Sequence, residues 1–305
     1  MPARTDPAKS GRETGGRLMD HLHVYARLMR LDRPIGIYLL LWPCLWALWL
    51  AAAGAPDWRI LLIFVSGTVL MRSAGCVIND FADRRFDPHV QRTRDRPLAT
   101  GAASPGEALA LFCLLCLAAF GLVLLTNRLT VTLSFCAVGL AACYPFMKRY
   151  TQLPQLVLGA AFSFSIPMAF SAQQGALPAA LWLVFAANIS WTMAYDTFYA
   201  MVDRDDDLRI GVKSTAILFG PRDRAATACL QAGFIILMIL AGRQFGLGPL
   251  YYGALALAAG LFAQQQYRIR TRDRAACFQA FLENNRVGAI VFLGLLLDYH
   301  LPLAT

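Results

Sequence analysis

Residues 35–53 read IGIYLLLWPCLWALWLAAA, nineteen positions without a single charge. At 1.5 Å per residue a helix of that length crosses about 30 Å, the depth of the hydrocarbon layer of a bilayer. Comparable runs follow at about 58–79, 107–126, 129–147, 153–172, 178–196, 225–241, 247–264 and 287–303, making nine in all. In lipid every backbone polar group must find its partner within the segment or in a closed barrel. Runs this long read as helices, since barrel strands alternate over only about ten residues. The expected fold is all-α and integral to the membrane, with nine transmembrane helices.

Composition agrees. Of 305 residues, 57% are hydrophobic and 15% charged, more apolar surface than a soluble domain of this size can bury. Lys and Arg set the expected orientation, because short loops rich in them stay in the cytoplasm. Of 28 such residues, 24 lie in the N-terminal arm or after an even-numbered run; Arg59, Arg128 and Arg243 lie on the other side and Arg72 inside a run. The N-terminus is therefore expected in the cytoplasm and the C-terminus outside. The net charge of +9 is the sum of these loops, which anionic lipid attracts, and no nucleic-acid motif accompanies it.

The first thirty residues are polar and carry no secretory signal, and Asp6, Glu13 and Asp20 speak against an organellar transit peptide. A bacterial inner membrane is the expected location, with residues 1–20 as a disordered polar tail and 21–305 as one membrane domain. Membrane lipid is the expected surrounding; the sequence names no protein partner. The eight cysteines fall mostly in apolar runs, where a free thiol behaves as a small hydrophobe.

Nine of the nineteen acidic residues gather in two places. The first is Asn79-Asp80-Phe81-Ala82-Asp83-Arg84-Arg85-Phe86-Asp87, with Asp95 shortly after. The second runs from Asp196 to Asp207 and reads DTFYAMVDRDDD. Both begin at the expected cytoplasmic end of an even-numbered run, so a bundle can bring them face to face. At about 100° per residue, Tyr199, Asp203 and Asp207 lie within about 60° of Asp196, whereas Asp205 points to the opposite face. Asp205 and Asp206 read as solvated. In the first stretch Asn79, Asp83 and Asp87 recur every four residues, with Asp80 at the edge of their arc and Arg72 on the same stripe. A straight helix separates Asn79 from Asp87 by about 12 Å, too far for one ion, and Pro88 is expected to end it. Asp298 is expected at the far interface.

Carboxylates packed this closely repel unless cations sit among them, and oxygen donors select hard cations. Magnesium is typically held by one or two carboxylates plus substrate phosphates, which suits two facing Asp rows with a gap for a diphosphate. Arg72, Arg84, Arg94, Arg96 and Lys213 surround the acids and match the remaining negative charge. A charged site at the rim of a lipid-facing bundle suits a molecule with a diphosphate head and a hydrocarbon tail.

These stretches resemble the UbiA family of membrane prenyltransferases, whose N-D-x-x-D-x-x-x-D motif is matched from Asn79 to Asp87. Asp196 to Asp207 and Ile210-Gly211-Val212-Lys213-Ser214 match its second motif. Further matching blocks are Leu31-Asp32-Arg33-Pro34-Ile35-Gly36, Arg94-Asp95-Arg96-Pro97-Leu98 and Tyr144-Pro145-Phe146-Met147-Lys148-Arg149-Tyr150. The resemblance covers about residues 20–300. It implies nine transmembrane helices around a central cavity with a cytoplasmic cap and Mg2+ as cofactor. The implied substrates are polyprenyl diphosphate and 4-hydroxybenzoate, the prenyl group going to the ring carbon ortho to the phenol. By the same resemblance, Asn79, Asp83, Asp203 and Asp207 hold Mg-diphosphate, with Asp80 and Asp87 in the metal set. Arg72, Arg94 and Lys213, joined by Arg33 and Arg96, face the diphosphate, while Arg149, Asp196 and Tyr199 serve the acceptor and the transfer.

Two other classes share parts of this pattern. An ion-coupled transporter also carries acids in a bundle, but near the midplane rather than at one rim. A CDP-alcohol phosphotransferase needs an Asp-Gly pair, which the chain lacks. Within the family, the menaquinone, haem and chlorophyll branches are the alternatives.

Overall fold

The computed structural model describes residues 21–89 and 93–301. The expectations for the 1–20 tail, for Arg92 and for residues 302–305 lie outside them. The helices are α1 (21–28), α2 (Ile35–Ala51), α3 (Trp58–Asp83), α4 (Pro105–Val123), α5 (Arg128–Tyr150), α6 (Pro154–Ser163), α7 (Ser165–Gln174), α8 (Leu181–Ile210), α9 (Thr215–Phe219), α10 (Asp223–Gln244), α11 (Pro249–Arg268) and α12 (Arg274–His300). Every apolar run of the sequence carries a helix.

Among the described residues, six segments are long and apolar enough to cross a membrane: Trp58–Asp83, Pro105–Val123, Arg128–Tyr150, Pro154–Gln174, Thr215–Gln244 and Arg274–His300. The chain is an integral membrane protein. Helix α2 is apolar but shorter, at 17 residues; α8 runs on into the acidic stretch, and α11 ends in Gln264, Gln265, Gln266 and Arg268. Large apolar side chains on α4 and α5 face outward, Leu117 at 68% and Phe135 at 61% exposure, a surface that lipid suits and water does not.

Helix ends are chemically marked. Asp57 accepts the Arg59 N–H at 2.7 Å to start α3, and Ser104 and Glu107 form a reciprocal capping box at α4. The core lies where α2, α8, α10, α11 and α12 meet. Trp46 and Trp191 pack at 5.2 Å between ring centres, with Phe234 against both. Each indole N–H has a partner on α12: Trp191 donates to Asn284 Oδ1 at 2.8 Å and Trp46 to the Gly288 carbonyl at 3.2 Å. Gly288 and Gly294 leave no room for a Cβ against Trp42 and Ala254, so α12 seats directly on α2 and α11.

Three local expectations are corrected, and Asp298 gains a structural role. Helix α3 ends at Asp83, not at Pro88, and Asp87 sits in a separate 3-10 turn, Asp87–His89. Proline disfavours α geometry in the residue before it, and the α-helix gives way to the 3-10 turn that holds Asp87 and Pro88. The run at 153–172 is broken between α6 and α7, because Pro167 lacks an N–H and its ring would clash with the carbonyl of Ser163. Helix α12 begins at Arg274, so Arg286, expected in a loop, is an exposed residue within a helix. Asp298 is a cap: its carboxylate accepts the N–H groups of Gly248 at 2.6 Å and Tyr251 at 3.3 Å, at the start of α11.

Candidate functional site

The C-terminal half of α3 and the middle of α8 form facing walls of one cavity of about 1080 Å³, with α2, α5, α6 and α12 completing it. Asn79, Asp83 and Asp87 line it from one side, and Asp196, Tyr199, Asp203 and Asp207 from the other. The two acidic stretches, 109 residues apart between Asp87 and Asp196, therefore share one space. Away from the acids the wall is apolar, with Phe120, Val123, Val138, Phe162 and Met168 contributed by α4, α5, α6 and α7.

The α8 stripe has the expected form. A single 30-residue helix carries Asp196, Tyr199, Asp203 and Asp207 to the cavity and turns Asp205 outward, 66% exposed and 3.0 Å from Arg274. Asp206, expected in solvent, is 16% exposed, lines the cavity and stands 3.5 Å from Arg274. Tyr199 packs on Phe281 at 4.9 Å between ring centres, which puts an aromatic face beside the acids.

The α3 side divides. Asp80 and Asp87 are almost inaccessible and are claimed by arginines: Arg30 Nη2 donates to both Asp80 oxygens at 2.9 Å, and Arg96 Nη1 lies 2.9 Å from Asp80 and 3.0 Å from Asp87. Burial pushes the Asp87 carboxyl up from its ordinary value, and Arg96 opposes that rise. Arg30 has φ of 57°, a left-handed conformation rare for a non-glycine residue, held while its side chain binds Asp80. Asp83 keeps a cavity-facing carboxylate, with Lys148 Nζ at 3.5 Å. The Asn79 Oδ1 is buried and has no hydrogen-bond partner.

That orphaned carbonyl oxygen is the strongest sign that the site suits a hard cation. Among the described residues no three His, Cys, Asp or Glu side chains are drawn into a ready cage. Donors spread along two walls fit Mg2+, which usually keeps waters and completes its shell with substrate phosphates.

Cations ring the rest. Arg72 lies along the stripe toward Tyr144, Tyr195 and Tyr199, with its Nε unpartnered and its guanidinium against the backbone of Gly36, where a Cβ would collide with it. Lys213 sits on the loop after α8, its backbone N–H bound to the Lys148 carbonyl at 3.0 Å and its Nζ 3.3 Å from the Tyr150 carbonyl. Arg149 stands exposed at the mouth over Phe86 and Phe146, its Nη2 3.4 Å from the Ala82 carbonyl. Arg33 lines the mouth at 79% side-chain exposure. Arg94 is not on the cavity wall; it is 63% exposed beside Asp95.

Three residues were missed as site groups in the sequence. Lys148 was visible only as a neighbour of Arg149, and its reach to Asp83 depends on how α5 leans on α3. Arg30, one of many N-terminal arginines, had no signal to separate it. Gln155, buried at the start of α6, had none at all.

An apolar helical bundle enclosing two opposed acidic stretches and a ring of cations defines a membrane protein built around an anionic, metal-chelating substrate head and a hydrophobic tail. The chain belongs to the UbiA prenyltransferase family, whose model matches residues 40–294. The 4-hydroxybenzoate octaprenyltransferase of Saccharophagus degradans is 64% identical over 277 residues, 91% of this chain and 93% of that one. The apo structure of a UbiA homolog from Aeropyrum pernix K1 superposes with a TM-score of 0.76 at 28% identity, over 86% of this chain and 97% of that one. A UbiA homolog from Archaeoglobus fulgidus bound to GPP and Mg2+ shares the fold, with a TM-score of 0.68 at 16% identity over 90% of this chain and 99% of that one.

Proposed function

We propose that this protein transfers a polyprenyl group from polyprenyl diphosphate to the 3-position of 4-hydroxybenzoate, as the names of its most similar relatives indicate for them. One observation carries the reading: Asp83 and Asp203 line the same cavity, which continues from a charged mouth to an apolar wall. Asn79, Asp83, Asp203 and Asp207 are the residues that would hold Mg2+. When bound, Mg2+ neutralises charge on the diphosphate and on its departure.

Arg72 and Lys213 bind the diphosphate oxygens, joined at the mouth by Arg33. Asp80 and Asp87, held by Arg30 and Arg96, fix the loop beyond α3 and keep Asp83 aimed inward. The allylic C–O bond breaks with its electron pair leaving on the diphosphate, and Tyr199 turns an aromatic face to the cation that forms. The ring carbon ortho to the phenol attacks that carbon and then releases its proton. Arg149 pairs with the acceptor carboxylate, and Asp196 stands against the phenol or the cation. Desolvation by the apolar wall protects the cation from water.

The topology is part of the same proposal: nine membrane-crossing helices, the N-terminus and the cavity mouth on the cytoplasmic side of a bacterial inner membrane. Membranes holding the chain, given labelled 4-hydroxybenzoate and a polyprenyl diphosphate, should form labelled lipid with Mg2+ and none with a chelator. Label that never enters lipid in the presence of Mg2+ would reject the reading.

A further inference from the structure

Asp203 and Asp207 stand one turn apart on the cavity face of α8, and Arg204, Asp205 and Asp206 lie between them. At about 100° per residue these three point to one flank, the back and the other flank of the helix. All three are tied to the corner where the chain enters α12. Arg204 donates to the Ala216 carbonyl at 2.8 Å and binds Asp223, which Arg272 Nη2 also holds at 2.9 Å. From the other side Arg274, the first residue of α12, reaches back with both arms of its guanidinium. Its Nη2 donates to Asp205 Oδ2 at 3.0 Å and its Nη1 lies 3.5 Å from Asp206 Oδ2.

The charges are unusual for their own helices. A cation in the first turn faces the positive end of the helix dipole, and carboxylates in the last turns face the negative end. Arg274 opens α12, and Asp205 and Asp206 lie near the end of α8, so each is disfavoured locally and compensated across the gap. The Asp273 side chain caps α12 through the Ala276 N–H at 3.1 Å, which fixes where Arg274 starts. Arg274 and Phe281 line the cavity, and the Phe281 ring packs on Tyr199 at 4.9 Å between centres. The clamp therefore borders the site itself.

We propose that Arg274 is a positioning residue of the metal-diphosphate site: it clamps the turn between Asp203 and Asp207 to the start of α12 and so presets the spacing of those two carboxylates. The inference rests on the reading of Asp203 and Asp207 as groups that hold Mg2+. Arg274 acts through α8. Released from the clamp, that turn would have to be ordered when metal and diphosphate bind, and the ordering would weaken their binding. The ion pairs are partly exposed, with the Arg274 side chain 43% accessible, so they contribute little to global stability.

The test uses the purified full chain in detergent, with Mn2+ and inorganic diphosphate as probes and bound metal counted from the free-ion paramagnetic resonance signal. Arg274→Gln should raise the Mn2+ dissociation constant about fivefold, the size expected of partly exposed ion pairs, with an almost unmoved melting temperature. In the metal-free chain it should speed amide hydrogen exchange over residues 203–210. Arg274→Lys should recover part of the affinity, since a point charge can hold one carboxylate of the two. Adding Asp206→Asn to Arg274→Gln should cost little more, because the two groups form one interaction. An unmoved Mn2+ constant in Arg274→Gln would overturn the proposal, as would a further loss of equal size from Asp206→Asn, which would make Asp206 a ligand in its own right. Should Arg274→Gln not accumulate, Asp205→Asn removes one pair at an exposed position; it should raise the constant about twofold, and an unmoved constant rejects the clamp. Wild-type Mn2+ affinity in Asp203→Asn would reject the metal assignment instead. A weakened Asp203→Asn beside an unaffected Arg274→Gln rejects this inference alone.

Discussion

Lys148 Nζ stands 3.5 Å from Asp83 Oδ2, so a lysine at the end of α5 reaches a carboxylate at the end of α3. The same ammonium lies close enough to Asp196 to act on it electrostatically. It therefore sits between the two acidic stretches, where a diphosphate would bring further negative charge. Lys148→Met should lower prenyl transfer by about a hundredfold, with Lys148→Arg recovering part of it, since a second cation of different shape keeps charge but not reach. Single-turnover assays in membranes test this; wild-type rates for the Met variant would remove Lys148 from the site.

Asp80 and Asp83 differ by three residues and by task. Asp80→Asn breaks the pairing with Arg30 and Arg96 and should lower thermal stability while leaving the Mg2+ concentration for half-maximal activity unchanged. Asp83→Asn and Asp203→Asn should each raise that concentration by about tenfold or more, with little change in melting temperature. Magnesium titrations of the three variants separate the roles, and a shift of equal size in Asp80→Asn would contradict the division.

Removing divalent cations offers a second check. Chelation should abolish transfer, and Mg2+ should restore it, whereas Ca2+, larger and looser in its coordination, should restore less. Recovery to the full Mg2+ rate with Ca2+ would point to a site of different geometry.

Gly36 has no side chain where α2 meets Arg72, and a methyl group there would occupy the position of the guanidinium. Gly36→Ala should leave the helices intact and displace Arg72, lowering kcat/KM for polyprenyl diphosphate about tenfold. An unchanged value would show that Arg72 does not need this place.

Asp223, completely buried, is bound by Arg204 and by Arg272 at 2.9 Å, and its Oδ1 accepts the Arg224 N–H at 2.6 Å. Asp223→Ala strands two arginines at the junction of α8, α10 and α12 and should cost about 3 kcal/mol, read as a lower melting temperature in detergent. A loss below about 0.5 kcal/mol would mean the arginines find other partners.

The helices were legible because lipid imposes a simple rule on backbone polar groups, and the apolar runs obey it one after another. The α8 stripe was legible for a related reason: once a helix is granted, spacing alone sets which of Asp196, Asp203, Asp205 and Asp207 share a face. The first stretch was harder, because Asp87 lies beyond the end of α3 and its direction comes from Arg96, brought back by a loop. No periodicity encodes such a return. Lys148, Arg30 and Gln155 share this property; each acts across helices, and their partners are 65, 50 and 60 residues away in Asp83, Asp80 and Thr215. The break before Pro167 was readable in principle from proline chemistry, but an apolar run hides it.

The grip of Asp298 on the first turn of α11 makes the last helix a fastener for its predecessor. A polypeptide cut before that carboxylate would leave the beginning of α11 unclasped, so this end of the α11–α12 hairpin can close only once Asp298 is in place. Reporter fusions intended to map topology should for that reason be attached beyond His300, not within the closing helix.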